Sequence, residues 1–285
     1  MTTRPVGIFD SGIGGLTVLS AVARRLPQEK ILYLGDTARV PYGTKSAATV
    51  SRYARQCAAF LCEQGIKALV VACNTASALA IDELRDMLGP QGIPVLGVIE
   101  PGAVEACRVS RFGRVGVIGT SSTIRSGAYE RAIKTIKPDF SVTSAACPMF
   151  VPLAEEGWTG REDAAARGAA ERYLGPLGEA GVDTLIMGCT HYPLLRDVIQ
   201  DALAGVTLVE SGEAVARDLE RTLSRLGIAG GPARGGGAAE YFVTDDPERF
   251  REVGSRFLGH DIQAPRLAEL GDLSHPSPHV VQERR

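Results

Sequence analysis

The chain alternates short apolar runs with longer stretches in which apolar residues recur every three or four positions. Runs of the first kind fall at 6–9, 31–34, 67–72, 94–99, 114–118, 140–145, 183–187, 206–210 and 240–243, where their length and branched aliphatic content predict strands. A helical period holds over roughly 15–26, 45–64, 76–88, 102–110, 122–136, 161–180, 194–204, 212–226 and 247–257. Such regular strand–helix alternation implies an α/β fold, with mostly parallel sheets flanked by helices. Nine strands divide into two sheets of four or five more readily than they build one.

The pattern also repeats itself. Val6-Gly7-Ile8-Phe9-Asp10-Ser11-Gly12 has a counterpart in Val115-Gly116-Val117-Ile118-Gly119-Thr120-Ser121. A similar interval separates Val70-Val71-Ala72-Cys73-Asn74-Thr75 from Ile186-Met187-Gly188-Cys189-Thr190-His191. Two registers in agreement predict two pseudo-symmetric α/β domains with an active site in the cleft between them. The chain is expected to cross into the second domain near Val98–Gly102 and to return near Glu210–Gly212. This makes 1–98 with 210–268 an N-terminal domain completed by the C-terminal segment, and 99–209 the second domain. Residues 230–237 read as a flexible Gly-rich loop and 269–285 as a poorly ordered tail.

Composition narrows the class. A hydrophobic content of 45% in 285 residues supplies ample core, and a formal charge of −2 gives no reason to expect nucleic acid or a membrane surface as partner. No charged-then-apolar leader opens the chain, and no apolar stretch approaches the roughly 18 residues of a membrane span, so a cytoplasmic location is expected. The six cysteines (57, 62, 73, 107, 147 and 189) include no C-x-x-C pair, and the four histidines are scattered, so neither a disulfide framework nor a metal site is expected. Cys57, Cys62 and Cys107 fall in helical patterns and read as small hydrophobes; Cys147, before Pro148, reads as structural.

Cys73 and Cys189 are different. Each stands at the end of a strand and before a helix, where α/β proteins place reactive groups and where a helix N-terminus favours a thiolate. A pair of thiols, one ionised and one protonated, suits inversion at a carbon: one removes a proton from one face and the other returns a proton to the opposite face. Around them, Asp10 serves either as a helix cap or as a cleft carboxylate for a substrate ammonium. His191 serves either as a packed residue before Pro193 or as an acid/base partner of Cys189. Asn74, Thr75, Thr120, Ser121 and Thr190 sit at strand-to-helix junctions; each serves either as an ordinary cap or, together with the others and exposed backbone N–H groups, as a hold for carboxylates. Pro41-Tyr42-Gly43 reads as a turn offering a backbone donor, and Glu155-Glu156-Gly157-Trp158 as a loop, either solvated or lending a carboxylate near His191. Gly12-x-Gly14-x-x-Thr17, with Asp36 downstream, resembles a dinucleotide loop but lacks its third glycine.

Together these motifs resemble the glutamate racemases of the aspartate/glutamate racemase superfamily. The resemblance is carried by Asp10–Leu16, Gly35-Asp36 through Gly43, Cys73-Asn74-Thr75, Gly119-Thr120 through Ile124, Ser126–Tyr129, Gly188–Pro193 and Glu210–Gly212, and it runs from about residue 6 to 258. It implies cofactor-independent interconversion of L- and D-glutamate, supplying D-glutamate for peptidoglycan. Cys73 and Cys189 are then the two acid/bases, with Asp10, His191 and Glu155 as auxiliary catalytic groups. The substrate is held by Asp10, Ser11, Pro41, Tyr42, Gly43, Asn74, Thr75, Thr120, Thr190 and His191. A homodimer is expected. The rival readings are an aspartate or hydantoin racemase, a one-cysteine decarboxylase or isomerase of similar fold, and a nucleotide-binding module.

Overall fold

All nine predicted strands form within two residues of their expected bounds in the computed structural model, which describes residues 2–230 and 239–271. A tenth, β10 (Arg266–Leu267), has two exposed residues, too few to leave an apolar pattern. The strands make two sheets rather than one. The larger orders them β10-β9-β2-β1-β3-β4 and the smaller β6-β5-β7-β8. The larger comprises β1 (Val6–Asp10), β2 (Ile31–Gly35), β3 (Ala68–Val71), β4 (Val95–Gly97), β9 (Ala239–Val243) and β10. In the smaller are β5 (Arg114–Gly119), β6 (Ser141–Ala146), β7 (Thr184–Gly188) and β8 (Thr207–Glu210).

Every pairing is parallel. The four-strand order β2-β1-β3-β4 is reproduced by β6-β5-β7-β8, so the internal repeat seen in sequence is a repeat of topology. Residues 6–10, 31–35, 68–71 and 184–188 are buried throughout, as strands covered on both faces by crossover helices must be.

Four apolar clusters fill the two faces of the two sheets. One face of the larger sheet packs on α1 (Leu16–Arg25), α10 (Ser211–Arg225) and α11 (Pro247–Leu258); the other packs on α2 (Ala47–Glu63) and α3 (Asn74–Leu88). The smaller sheet is covered by α7 (Phe150–Glu156), α8 (Ala164–Glu179) and α9 (Arg196–Ala202) on one side, and by α4 (Ile99–Val109) and α6 (Ala128–Ile136) on the other.

Three local readings change. The helix expected over 122–136 breaks into α5 (Ser121–Arg125) and α6, because Gly127 adopts φ +63°. The segment expected to be a loop at 155–156 is the last turn of α7. Pro152 falls in its first turn, where a missing N–H costs nothing. Of the expected tail, Leu270 packs against the core beneath α2, and residues 272–285 lie outside the described residues, as do 231–237 of the expected Gly-rich loop. Among the described residues no helix is long and apolar enough to cross a membrane.

At the amino end of the larger sheet, Lys67 and Glu29 form a fully buried ion pair at 2.5 Å. The Lys67 ammonium also donates to the Ile228 carbonyl, and Glu29 accepts from the Gly230 amide. Removing one member strands the other's charge in the interior. Lys67→Met is expected to cost about 3–5 kcal/mol in urea unfolding, and adding Glu29→Leu should recover most of that loss.

Candidate active site

The carboxyl ends of β1, β3 and β7 converge, and the segments that follow them supply the chemistry. Cys73 follows β3 and caps α3, with the Ala76 amide donating to its sulfur at 3.5 Å. Its S–H faces Ser11 Oγ at 3.6 Å. Cys189 follows β7, with its sulfur 3.8 Å from His191 Nδ1. Each cysteine keeps a sliver of exposure (5% and 6%), enough for a ligand to reach it.

Both face one small cavity. Ser11, Pro41, Tyr42, Gly43, Asn74, Thr75, Thr120, Glu155, Thr190 and His191 line it with the two cysteines. Residues expected from both halves of the chain therefore meet at one place. Asp10 is set one layer back: fully buried, it accepts from the Gly12 amide at 3.1 Å and the Thr190 hydroxyl at 3.5 Å. Tyr42 turns its ring into the core and donates to Asp36, so its phenol is committed away from the cleft.

Asp36 is likewise spoken for. It accepts from Arg39 Nε at 2.7 Å and Thr244 Oγ1 at 3.0 Å, which removes it as a ribose acid. The glycines after β1 make room for protein instead of phosphate. A Cβ on Gly14 would lie 2.3 Å from Thr190 Oγ1 and 2.4 Å from His191 Nδ1, and one on Gly15 would lie 2.5 Å from Asp10 Cβ. The dinucleotide reading ends there.

The two thiols have unlike surroundings. Burial pushes the Cys73 thiol up to about 12, with the nearby Asp10 carboxylate adding to it and the Ala76 amide and Ser11 opposing. Cys73 is thus a protonated group, suited to giving a proton. Cys189 stands against an imidazole that is held charged. Burial lowers the pKa of His191, but hydrogen bonds to Cys189 and Glu155 outweigh it and hold the ring at about 10. His191 Nε2 donates to Glu155 Oε1 at 3.0 Å, and Arg249 of α11 sits 3.7 Å from the other carboxylate oxygen. The His191 hydrogen bond, opposed by burial and helped by the charges of His191 and Arg249, keeps Glu155 below the usual carboxylate range. Glu155, and not the exposed Glu156, is the residue that reaches the site.

The remaining polar lining consists of donors. Thr75, Thr120 and Thr123 hydroxyls lie within 2.9–3.1 Å of one another, joining α3 to the start of α5. Asn74 Nδ2 is buried with no partner. Ile13, Val40 and Val151 also line the cavity, and Phe257 meets His191 edge-on at 5.5 Å. None of these was legible as a site residue, since an apolar wall has no local signature. Arg249 lies in an ordinary amphipathic helix, and only its tertiary position connects it to Glu155. Among the described residues no cluster of His, Cys, Asp and Glu is arranged to hold a metal ion.

Residues 16–219 match the family model described as Asp/Glu/Hydantoin racemase. The chain belongs to that racemase family. A glutamate racemase of Geobacter metallireducens is 56% identical over 99% of this chain and 100% of its own length. Two solved racemase structures superpose closely. One is the glutamate racemase of Francisella tularensis in complex with D-glutamate (TM-score 0.87, 37% identity, covering 94% of this chain and 98% of that one). The other is the Thermus thermophilus enzyme in complex with β-chloro-D-alanine (TM-score 0.84, 46% identity, the same coverage).

For this racemase-family chain the ion pair of His191 and Glu155 has a defined pH window. A histidine whose folded pKa lies above 6.5 adds its full stability below that value and loses it as pH rises towards about 10. A carboxylate held below 4.5 adds stability above that value and loses it as pH falls. Glu155→Gln is therefore expected to lower the His191 pKa from about 10, read by a nitrogen NMR titration of the imidazole. An unchanged titration would show that Glu155 does not hold the ring charged.

Proposed function

We propose that this chain racemises glutamate by a two-thiol mechanism that needs no cofactor, and that its D-glutamate serves peptidoglycan synthesis. The observation that carries the mechanism is the placing of two cysteines, one after β3 and one after β7, on a single cavity with unlike surroundings. One thiol takes the α-proton as the other delivers its own to the opposite face, and the roles exchange with the enantiomer bound. His191 supplies positive charge for a thiolate on Cys189. The Ala76 amide and Ser11 hydroxyl serve Cys73.

The donors of the cleft suit a substrate with two carboxylates and little else to recognise. Asn74 Nδ2 offers unspent N–H groups, and Thr75, Thr120 and Thr190 offer hydroxyls. Asp10 and Glu155 balance the ammonium, Asp10 by acting through Thr190 and Ser11. Pro41, Tyr42 and Gly43 close the wall with backbone. The cleft also excludes water while the carbanion exists, which protects the source of the returning proton.

On this reading the division is 1–98 with 210–268 against 99–209. Its support is that α4 packs on β7 and β8, and that α10 packs on α1 at the return. Cytoplasmic placement and a homodimer belong to the same proposal and rest on the motif resemblance.

Proton NMR of L-glutamate and of D-glutamate in D₂O, with no added cofactor, tests the activity. The α-proton signal should disappear from both as the opposite enantiomer forms; no exchange from either, with exchange from aspartate, would move the specificity to a sister racemase. Cys73→Ser and Cys189→Ser should each lose roughly 10²- to 10⁴-fold in racemisation. Elimination from a β-leaving-group analogue, which needs one base, should survive unequally in the two variants. Equal losses for both enantiomers would favour a single-base mechanism.

A further inference from the structure

The unpartnered amide of Asn74 has an orientation, and the structure shows what fixes it. Tyr129, on α6, donates its hydroxyl proton to Asn74 Oδ1 at 2.6 Å. The same hydroxyl lies 2.9 Å from Ser211 Oγ at the start of α10, and Ser211 lies 3.4 Å from the Met187 carbonyl on β7. All three residues are buried. With its oxygen engaged by the phenol, the amide keeps both Nδ2 protons unspent in a residue that lines the cavity. An amide flipped the other way would set an N–H against the phenol and an acceptor oxygen against an incoming carboxylate.

The tyrosine is built into place. A Cβ on Gly188 would lie 2.9 Å from Tyr129 Cε2, and one on Gly102 would lie 3.3 Å from Cε1. The ring therefore rests against the bare backbone directly before Cys189, and its hydroxyl reaches the residue directly after Cys73. Burial raises the phenol's pKa, so it stays a neutral donor throughout the working pH range.

We infer that Tyr129 is a positioning residue that orients Asn74 to receive a substrate carboxylate and, through Gly188, ties the two cysteine-bearing segments to one another. This rests on the two-thiol racemase reading above. It separates the carboxylate-holding task of Asn74 from the proton transfers of Cys73 and Cys189.

The test is a double-mutant cycle on the full chain, with wild-type racemisation in both directions as the control on the underlying reading. Tyr129→Phe keeps the ring against Gly188 and removes the hydroxyl. It should raise KM for both enantiomers roughly tenfold, the worth of about one hydrogen bond to a charged group, with a smaller change in kcat. In an Asn74→Ala background the same change should have almost no further effect on KM. An equal KM penalty in both backgrounds, or no penalty in either, would overturn the proposal. Ser211→Ala gives a second reading, because it leaves Tyr129 free to donate to Asn74 alone; KM should stay within about twofold of wild type. A loss as large as that of Tyr129→Phe would mean that the buried cluster matters as packing, and would overturn it as well. Absence of racemisation in the wild type would instead defeat the reading beneath.

Discussion

The site exists because two loops approach more closely than side chains allow. The turn after β1 meets the segment after β7 at Gly14, where the space a methyl group would need is already occupied by Thr190 and His191. Thr17, the second residue of α1, donates to the Thr190 carbonyl at 2.9 Å and fastens the approach from the other side. From this contact the rest follows. Asp10 is sealed beneath Thr190, His191 is swung against Cys189, and the cavity is narrowed to a pocket that both thiols reach. A larger residue at position 14 would push Thr190 and His191 away from the turn after β1 before it disturbed either sheet.

The two halves of the apparatus are alike in topology and unlike in electrostatics. Cys73 has a helix terminus and a hydroxyl, which provide hydrogen bonds without net charge. Cys189 has an imidazolium whose own proton is secured by Glu155 and, behind it, Arg249. A duplicated fold thus yields two chemically distinct thiols. The distinction comes from side chains outside the repeated strands: α7 and α11 have no counterparts at the Cys73 side.

Much of this was legible in the sequence because fully buried parallel strands write themselves as continuous apolar runs, and because the cysteine contexts repeat. What was not legible divides by cause. β10 is too short to carry a period, and α7 carries in its first turn a proline of the kind that ordinarily ends helices. The Asn74–Tyr129–Ser211 network joins residues from three distant segments, so no window of sequence contains it. Asp36 looked like a ligand-binding acid by spacing, yet its partners Arg39, Tyr42 and Thr244 hold the loop that bears Pro41 and Gly43. Spacing identifies where a carboxylate stands along the chain; the network around it decides whether it faces a ligand.

The order in which the strands leave the ribosome has a consequence of its own. The smaller sheet draws all four strands from one uninterrupted stretch, ending with β8 at Glu210. The larger sheet has β1 to β4 ahead of that stretch, yet β2 keeps an open edge until β9 arrives at residues 239–243. During synthesis the second unit can complete itself as the first waits with an unpaired apolar strand exposed. Helix α11, the last among the described residues, then covers β1 and β2 and brings Arg249 and Phe257 to the Glu155–His191 pair in one step. A copy in which α11 has not yet docked therefore lacks Arg249 and Phe257 beside the Glu155–His191 pair.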